Sequence, residues 1–180
     1  MYRTLFALAV AALLSASGTA ADTKYALSGD NTKLEFTGTK KGGKHDGGFK
    51  KLTGTATVTD SKFDTLKIEV EIETDSLYAD DAKLTGHLKN SDFFGVKDNP
   101  KATFKTTKVE KTDKGYNVTG DLTMIGKTKA VTFPATISEK DGVLSLKSDF
   151  KIDRTQWGMN YGKGMIDNDV AIRLAVSAKK

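Results

Sequence analysis

No cysteine occurs anywhere in the 180 residues, which excludes disulfides, thiolate metal ligands, thiol catalysis and a lipid-modified leader. The fold must then stand on packing and backbone pairing, which a chain of this length can supply as one domain. Histidine is scarce, with only His45 and His87. Arginine is equally scarce beyond the N-terminus, where only Arg154 and Arg173 remain. A nucleic-acid binder favours arginine forks gathered on one face; here lysine, spread over turns and strand exteriors, makes up the formal net charge of +5. That reads as a solubilising shell, with no nucleic-acid partner and with anionic lipid headgroups as weak partners at most. The apolar run Leu5 to Leu14 falls well short of the roughly 20 residues a membrane span needs, so no stable membrane insertion is expected.

That run has a different meaning. Arg3 precedes it, small residues from Ser15 to Ala21 follow it, and the first acid is Asp22. Charge, apolar run and small residues in that order read as a secretory signal peptide over residues 1–20, cut at Ala20–Ala21. The mature chain, residues 21–180, would be periplasmic or secreted, with a net charge of +4 once Arg3 is removed.

What is present is a two-residue period, the mark of strands with one buried face. Leu66, Ile68, Val70 and Ile72 alternate with Lys67, Glu69, Glu71 and Glu73; Val170, Ile172, Leu174 and Val176 repeat the pattern. The same alternation runs through Leu34 and Phe36, Leu52 to Val58, Tyr116 to Met124, Val131 to Ile137 and Leu144 to Ile152. Lys114-Gly115, Ile125-Gly126-Lys127 and Asp141-Gly142 separate neighbouring runs at hairpin range. The phase breaks between Phe49 and Leu52 and between Phe104 and Val109, where a bulge or bend is needed. Leu84 and Leu88, after a candidate cap at Asp80 or Asp81 and before Asn90-Ser91, predict one short helix. The aromatic turn Phe93-Phe94 follows it. The fold class is therefore all-β: an antiparallel barrel of about eight strands with one short helix near its mouth.

No catalytic set emerges, so the chain reads as a binding protein and not an enzyme, with no cofactor and no resident metal. His45 lies in the glycine-rich stretch Lys40 to Gly48, which reads as a flexible hairpin tip without the phosphate-cradle spacing. Asp153 and Arg154, beside Trp157, form the densest polar and aromatic cluster, and Arg154 could stack on a ring, close a barrel end or hold an anionic headgroup.

Several segments resemble the YceI-like family in order. They are Gly48-Phe49 with Leu52-Thr53-Gly54, His87-Leu88-Lys89-Asn90-Ser91-Asp92-Phe93-Phe94, Tyr116 to Thr123, Thr128 to Phe133, and Phe150 to Thr155 with Gly158. The resemblance spans roughly Lys24 to Ala178. It departs from the family's pattern at Leu84-Thr85 and at Ile125-Gly126. It implies a lipocalin-like barrel that binds polyisoprenoids or similar long-chain lipids without catalysis.

Apolar residues in the inward phase are then the candidate ligand lining: Phe36, Leu52, Ile68, Val70, Phe104, Val118, Leu122, Phe133, Leu146, Phe150, Ile172 and Leu174. His87, Phe93, Phe94, Arg154 and Trp157 are placed at the mouth. The expected partner is an isoprenoid or other long-chain lipid, and a homo-oligomer is compatible with the sequence. Two other readings follow from the same residues. One is a filled barrel serving as a stress-response or interaction module. The other is a metal enzyme built on His45 and His87, which requires the two side chains to converge.

Overall fold

The alternating runs become eleven strands of one sheet in the computed structural model, which describes residues 20–180. The expected leader lies outside the described residues apart from Ala20. In chain order the strands are β1 (Asp22–Ser28), β2 (Thr32–Lys40), β3 (Gly43–Phe49), β4 (Leu52–Thr59), β5 (Lys62–Glu73) and β6 (Leu77–Ala79). The helix α1 (Ala82–Lys89) follows, then β7 (Lys101–Thr112), β8 (Gly115–Met124), β9 (Lys127–Lys140), β10 (Val143–Asp153) and β11 (Ile166–Lys179). Every pairing is antiparallel, in the order β1-β4-β5-β7-β8-β9-β10-β11-β2-β3-β6.

The two ends of that order are joined by the chain itself. β3 continues into β4 through Lys50-Lys51, and β5 into β6 through the single turn Thr74–Ser76. The two bent ribbons stay bonded at the corner, where Lys50 N donates to Ser76 O (3.3 Å) and Glu73 N to Lys51 O (3.1 Å). The sheet thus curls into a barrel. Each of the two broken ribbons counts twice, so the eleven segments make nine continuous strands where about eight were expected. The corner falls at the first expected phase break. The second is a bulge between Thr106 and Lys108, where β7 shifts register against β8.

The hairpins form where glycine marked them. Ile125 and Gly126 have φ of +49° and +67°, and Asp141 and Gly142 +53° and +75°. Two successive positive φ values match the right-handed twist of the flanking strands. The glycine-rich stretch around His45 is a hairpin tip only at Lys41-Gly42, between β2 and β3. Residues 43–49 are β3, paired on both sides with β2 and β6. A Cβ at Gly47 would overlap Tyr78 O and the Phe36 ring, so glycine there lets a neighbouring strand and an aromatic ring lie flat on the wall.

One seam is incomplete. β9 and β10 pair only from Lys140↔Val143 to Thr136↔Lys147. Pro134 has no N–H to extend that ladder. Instead the buried Ser148 hydroxyl donates to Pro134 O (2.6 Å), and the Phe133 and Phe150 rings stack across the seam with centroids 4.6 Å apart.

Opposite the helix the barrel is filled. Tyr25, Val58, Leu66, Val118, Leu144, Leu146 and Ala178 are almost wholly buried and pack together there. Tyr25 is fully buried and its hydroxyl has no hydrogen-bond partner. Burial, and then the Glu139 carboxylate, push its pKa up to about 12. Because the folded value lies above that of an unfolded chain, this contribution to stability is complete below about pH 10 and fades as pH rises through about 12. Tyr25→Phe removes the unpartnered hydroxyl. At neutral pH it should leave stability unchanged or raise it by up to about 1 kcal/mol. It should also abolish the alkaline loss of roughly 2–3 kcal/mol expected of wild type, measured by urea unfolding at stepped pH.

Candidate functional site

The other half of the barrel is hollow. A cavity of about 430 Å³ opens beneath α1, within the size range of small-molecule sites. Its wall is apolar, and its polar lining is confined to Glu35, Thr39, Lys40, His45, His87, Arg154 and Tyr161. Two aromatic groups face the lumen. Phe49 stands 6.3 Å from Phe36 and 5.5 Å from Phe94, and Phe133 stands 5.7 Å from Phe104 and 4.6 Å from Phe150.

The helix forms the roof because its two leucines sit one turn apart on its lower face. Leu84 and Leu88 line the cavity, and Asp81 accepts from Leu84 N (2.7 Å) to cap the first turn. Asn90 ends it, as its backbone N–H closes on His87 O. The following turn drops Phe93 into the core and sets it edge-on to His87, centroids 5.1 Å apart.

At the mouth each histidine has its own carboxylate. His45 Nδ1 lies 2.9 Å from Asp80 Oδ1, and His87 Nε2 lies 3.0 Å from Asp92 Oδ2. The Asp46 backbone N–H, and then His45, hold the Asp80 carboxyl below its usual range. Among the described residues no group of three histidines or carboxylates is placed to hold a metal ion. No described helix is long and apolar enough to cross a membrane.

Arg154 is 4 % exposed, and burial lowers its pKa. It has no carboxylate partner within ion-pair distance among the described residues. Its guanidinium donates instead to backbone carbonyls: Nη1 to Met159, Nε to Asp167 (3.1 Å) and Nη2 to Ile166 (3.3 Å). Arg154 therefore pins both ends of the β10–β11 loop. Asp153, beside it in sequence, accepts from the Thr155 hydroxyl (2.6 Å) and N–H (2.9 Å), which lower its pKa.

Of the residues expected from sequence, Phe36, Ile68, Phe104, Leu122, Phe133, Phe150, Ile172, Leu174, His87, Phe93, Phe94 and Arg154 do line the cavity. Leu52, Val70, Val118, Leu146 and Trp157 do not. Leu52, Val118 and Leu146 are buried in the packed core, and Val70 packs against it. Trp157 is buried with its indole N–H donating to Leu122 O (3.0 Å), a wall contact and not a mouth contact. The lining also includes residues the sequence reading missed, among them Phe49, Met124, Met159, Tyr161 and Ile166. Phe49 shares the inward phase of β3, but the glycines around it conceal the alternation.

Fold and cavity define a class: a small antiparallel barrel, packed at one end, that encloses an apolar chamber at the other. The chain belongs to the YceI-like family, whose domain model matches residues 25–178. It is 34% identical over 139 residues to a UPF0312 protein of Yersinia pestis, covering 76% of this chain and 72% of that one. It is 43% identical over 93 residues to a UPF0312 protein of Pseudomonas putida, covering 51% of this chain and 48% of that one. The aligned part thus spans about half the length of the Pseudomonas relatives. Among solved structures, the fold is similar to BcnA of Burkholderia cenocepacia, with a TM-score of 0.75 and 23% identity over 82% of this chain and 96% of that one. It is also similar to a polyisoprenoid-binding domain from Saccharophagus degradans, with a TM-score of 0.66 and 11% identity over 87% and 97% of the two chains.

Proposed function

We propose that this protein is a non-catalytic carrier that holds the chain of a polyisoprenoid or another long-chain lipid inside the barrel. The observation that carries this reading is the apolar chamber, its wall built from aromatic and branched side chains with few polar groups among them. An apolar chain gains from leaving water roughly in proportion to the surface it hides. The polyisoprenoid-binding name of the Saccharophagus neighbour supports the same ligand class. Export into the periplasm or beyond belongs to this proposal. Its support is the order of charge, apolar run and small residues in 1–20, with β1 opening at Asp22 directly after the expected cut.

The test is native mass spectrometry of protein purified without detergent from its own host, followed by organic extraction. The expected result is an added mass that extracts as an isoprenoid or acyl chain. An apo mass, with no uptake of added prenyl lipid, would overturn the carrier in favour of the interaction module. The filled lower half of the barrel is what that second reading has on its side.

A further inference from the structure

Tyr161 and Met165 are 46% and 70% exposed, and they are the two large hydrophobic side chains left exposed among the described residues. Scattered singly, such residues need no explanation. These two share one loop, 158–165, at the mouth of the chamber. That loop turns through Gly158, Gly162 and Gly164, whose φ values are +96°, +67° and +82°. Its base is fixed by the buried Arg154 guanidinium on Met159, Ile166 and Asp167. Tyr161 is further set against His87, centroids 4.7 Å apart, so the exposed side chains sit on a braced support.

The loop and the strand end beside it carry lysines that no carboxylate pairs with among the described residues. Lys163 lies between Tyr161 and Met165, and Lys40 stands opposite Ile166 in the β2–β11 register with Lys41 next to it. All three lysines are exposed. Four acids of the same rim are held in side-chain hydrogen bonds, Asp46 by Thr37 and Lys44, Asp80 by His45, Asp92 by His87 and Asp167 by Thr39, and Asp169 is left without a side-chain partner among the described residues. Asp169, in the β11 bulge, shares a shallow outer groove with Lys151 and Lys163.

We infer that this rim is a docking surface for an anionic phospholipid bilayer, with Met165 and Tyr161 entering the headgroup region and Lys40, Lys41 and Lys163 facing lipid phosphates. Apolar tips flanked by lysines suit that interface, since the tips leave water while the ammonium groups stay at headgroup level. The contact is peripheral and reversible, and salt screens it. The inference deepens the carrier reading and rests on it: a mouth seated on the bilayer would let a lipid chain pass into the chamber without crossing water.

The experiment is co-sedimentation of the purified protein with phosphatidylcholine vesicles, with and without about a third phosphatidylglycerol, at low and physiological salt. Wild type should bind the anionic vesicles and lose that binding as salt rises. Met165→Asp and the double variant Lys41→Glu/Lys163→Glu should each bind about tenfold less, while the melting temperature is unchanged. No wild-type binding at low salt, equal binding to both vesicle types, or unaltered binding by both variants would overturn the inference. Vesicle binding that responds to the variants, from a protein that never acquires lipid, would support the docking surface and sink the carrier alone.

Discussion

Phe150→Asp should abolish lipid retention while leaving a folded barrel. Phe150 faces the chamber from β10, stacks on Phe133 beyond the paired part of the β9–β10 seam, and pairs with Ile172 of β11. A carboxylate there meets rings and aliphatic groups, so the ionised form is disfavoured and its pKa must rise. A ligand chain entering the same space would have to strip water from that charge, and retention should weaken by about 100-fold or more, corresponding to roughly 3 kcal/mol. The exposed change Lys67→Asp, on the outer face of β5, should retain lipid as wild type does. A delipidated sample of each variant, reloaded with a prenyl alcohol and passed through a desalting column, reads the difference directly. Lowering the pH supplies an internal control, because protonating the new Asp should restore part of the retention. Equal retention by Phe150→Asp and Lys67→Asp would place the ligand outside the barrel.

Most of the wall was legible because each strand has one apolar face, and period two reports which side chains point inward. It does not report height along the barrel axis. Leu52, Val118 and Leu146 share the inward phase of Phe36 and Phe150, yet they fall in the packed half. That distinction depends on strand stagger, which no single strand encodes. The helix was legible from Leu84, Leu88 and the Asp81 cap, which are local signals. β3 was not, since Gly43, Gly47 and Gly48 carry no side chains to alternate; the reason for Gly47 and Gly48 lies in Phe36, Tyr78 and the backbone of other strands. The partnership of His45 with Asp80 was equally hidden, because it joins residues brought together only by the β3–β6 pairing. The position of the Tyr161–Met165 loop over the chamber was hidden as well, since it follows from Arg154 fixing both its ends.

Arg154→Ala is expected to be the most damaging single change at the mouth for stability. The substitution removes three hydrogen bonds from a buried guanidinium and leaves the Met159, Ile166 and Asp167 carbonyls to find other donors. Met159 is 5% exposed, so its carbonyl has little access to water, whereas Ile166 and Asp167 lie nearer the surface and can rehydrate. The cost should be about 2–4 kcal/mol, a fall in melting temperature of roughly 5–15 °C. Arg154→Lys should recover only part of it, because one ammonium cannot span three carbonyls that a planar fork reaches together. Ligand affinity separates two roles for this residue. As a pin on the β10–β11 loop, Arg154→Ala should weaken retention of a prenyl alcohol and a prenyl phosphate by the same factor, alongside the loss of stability. As a direct headgroup ligand, it should penalise the phosphate selectively and leave the melting temperature nearly unchanged. The three backbone carbonyls already engaged by the guanidinium favour the first outcome, and a phosphate-selective loss would refute the pinning role.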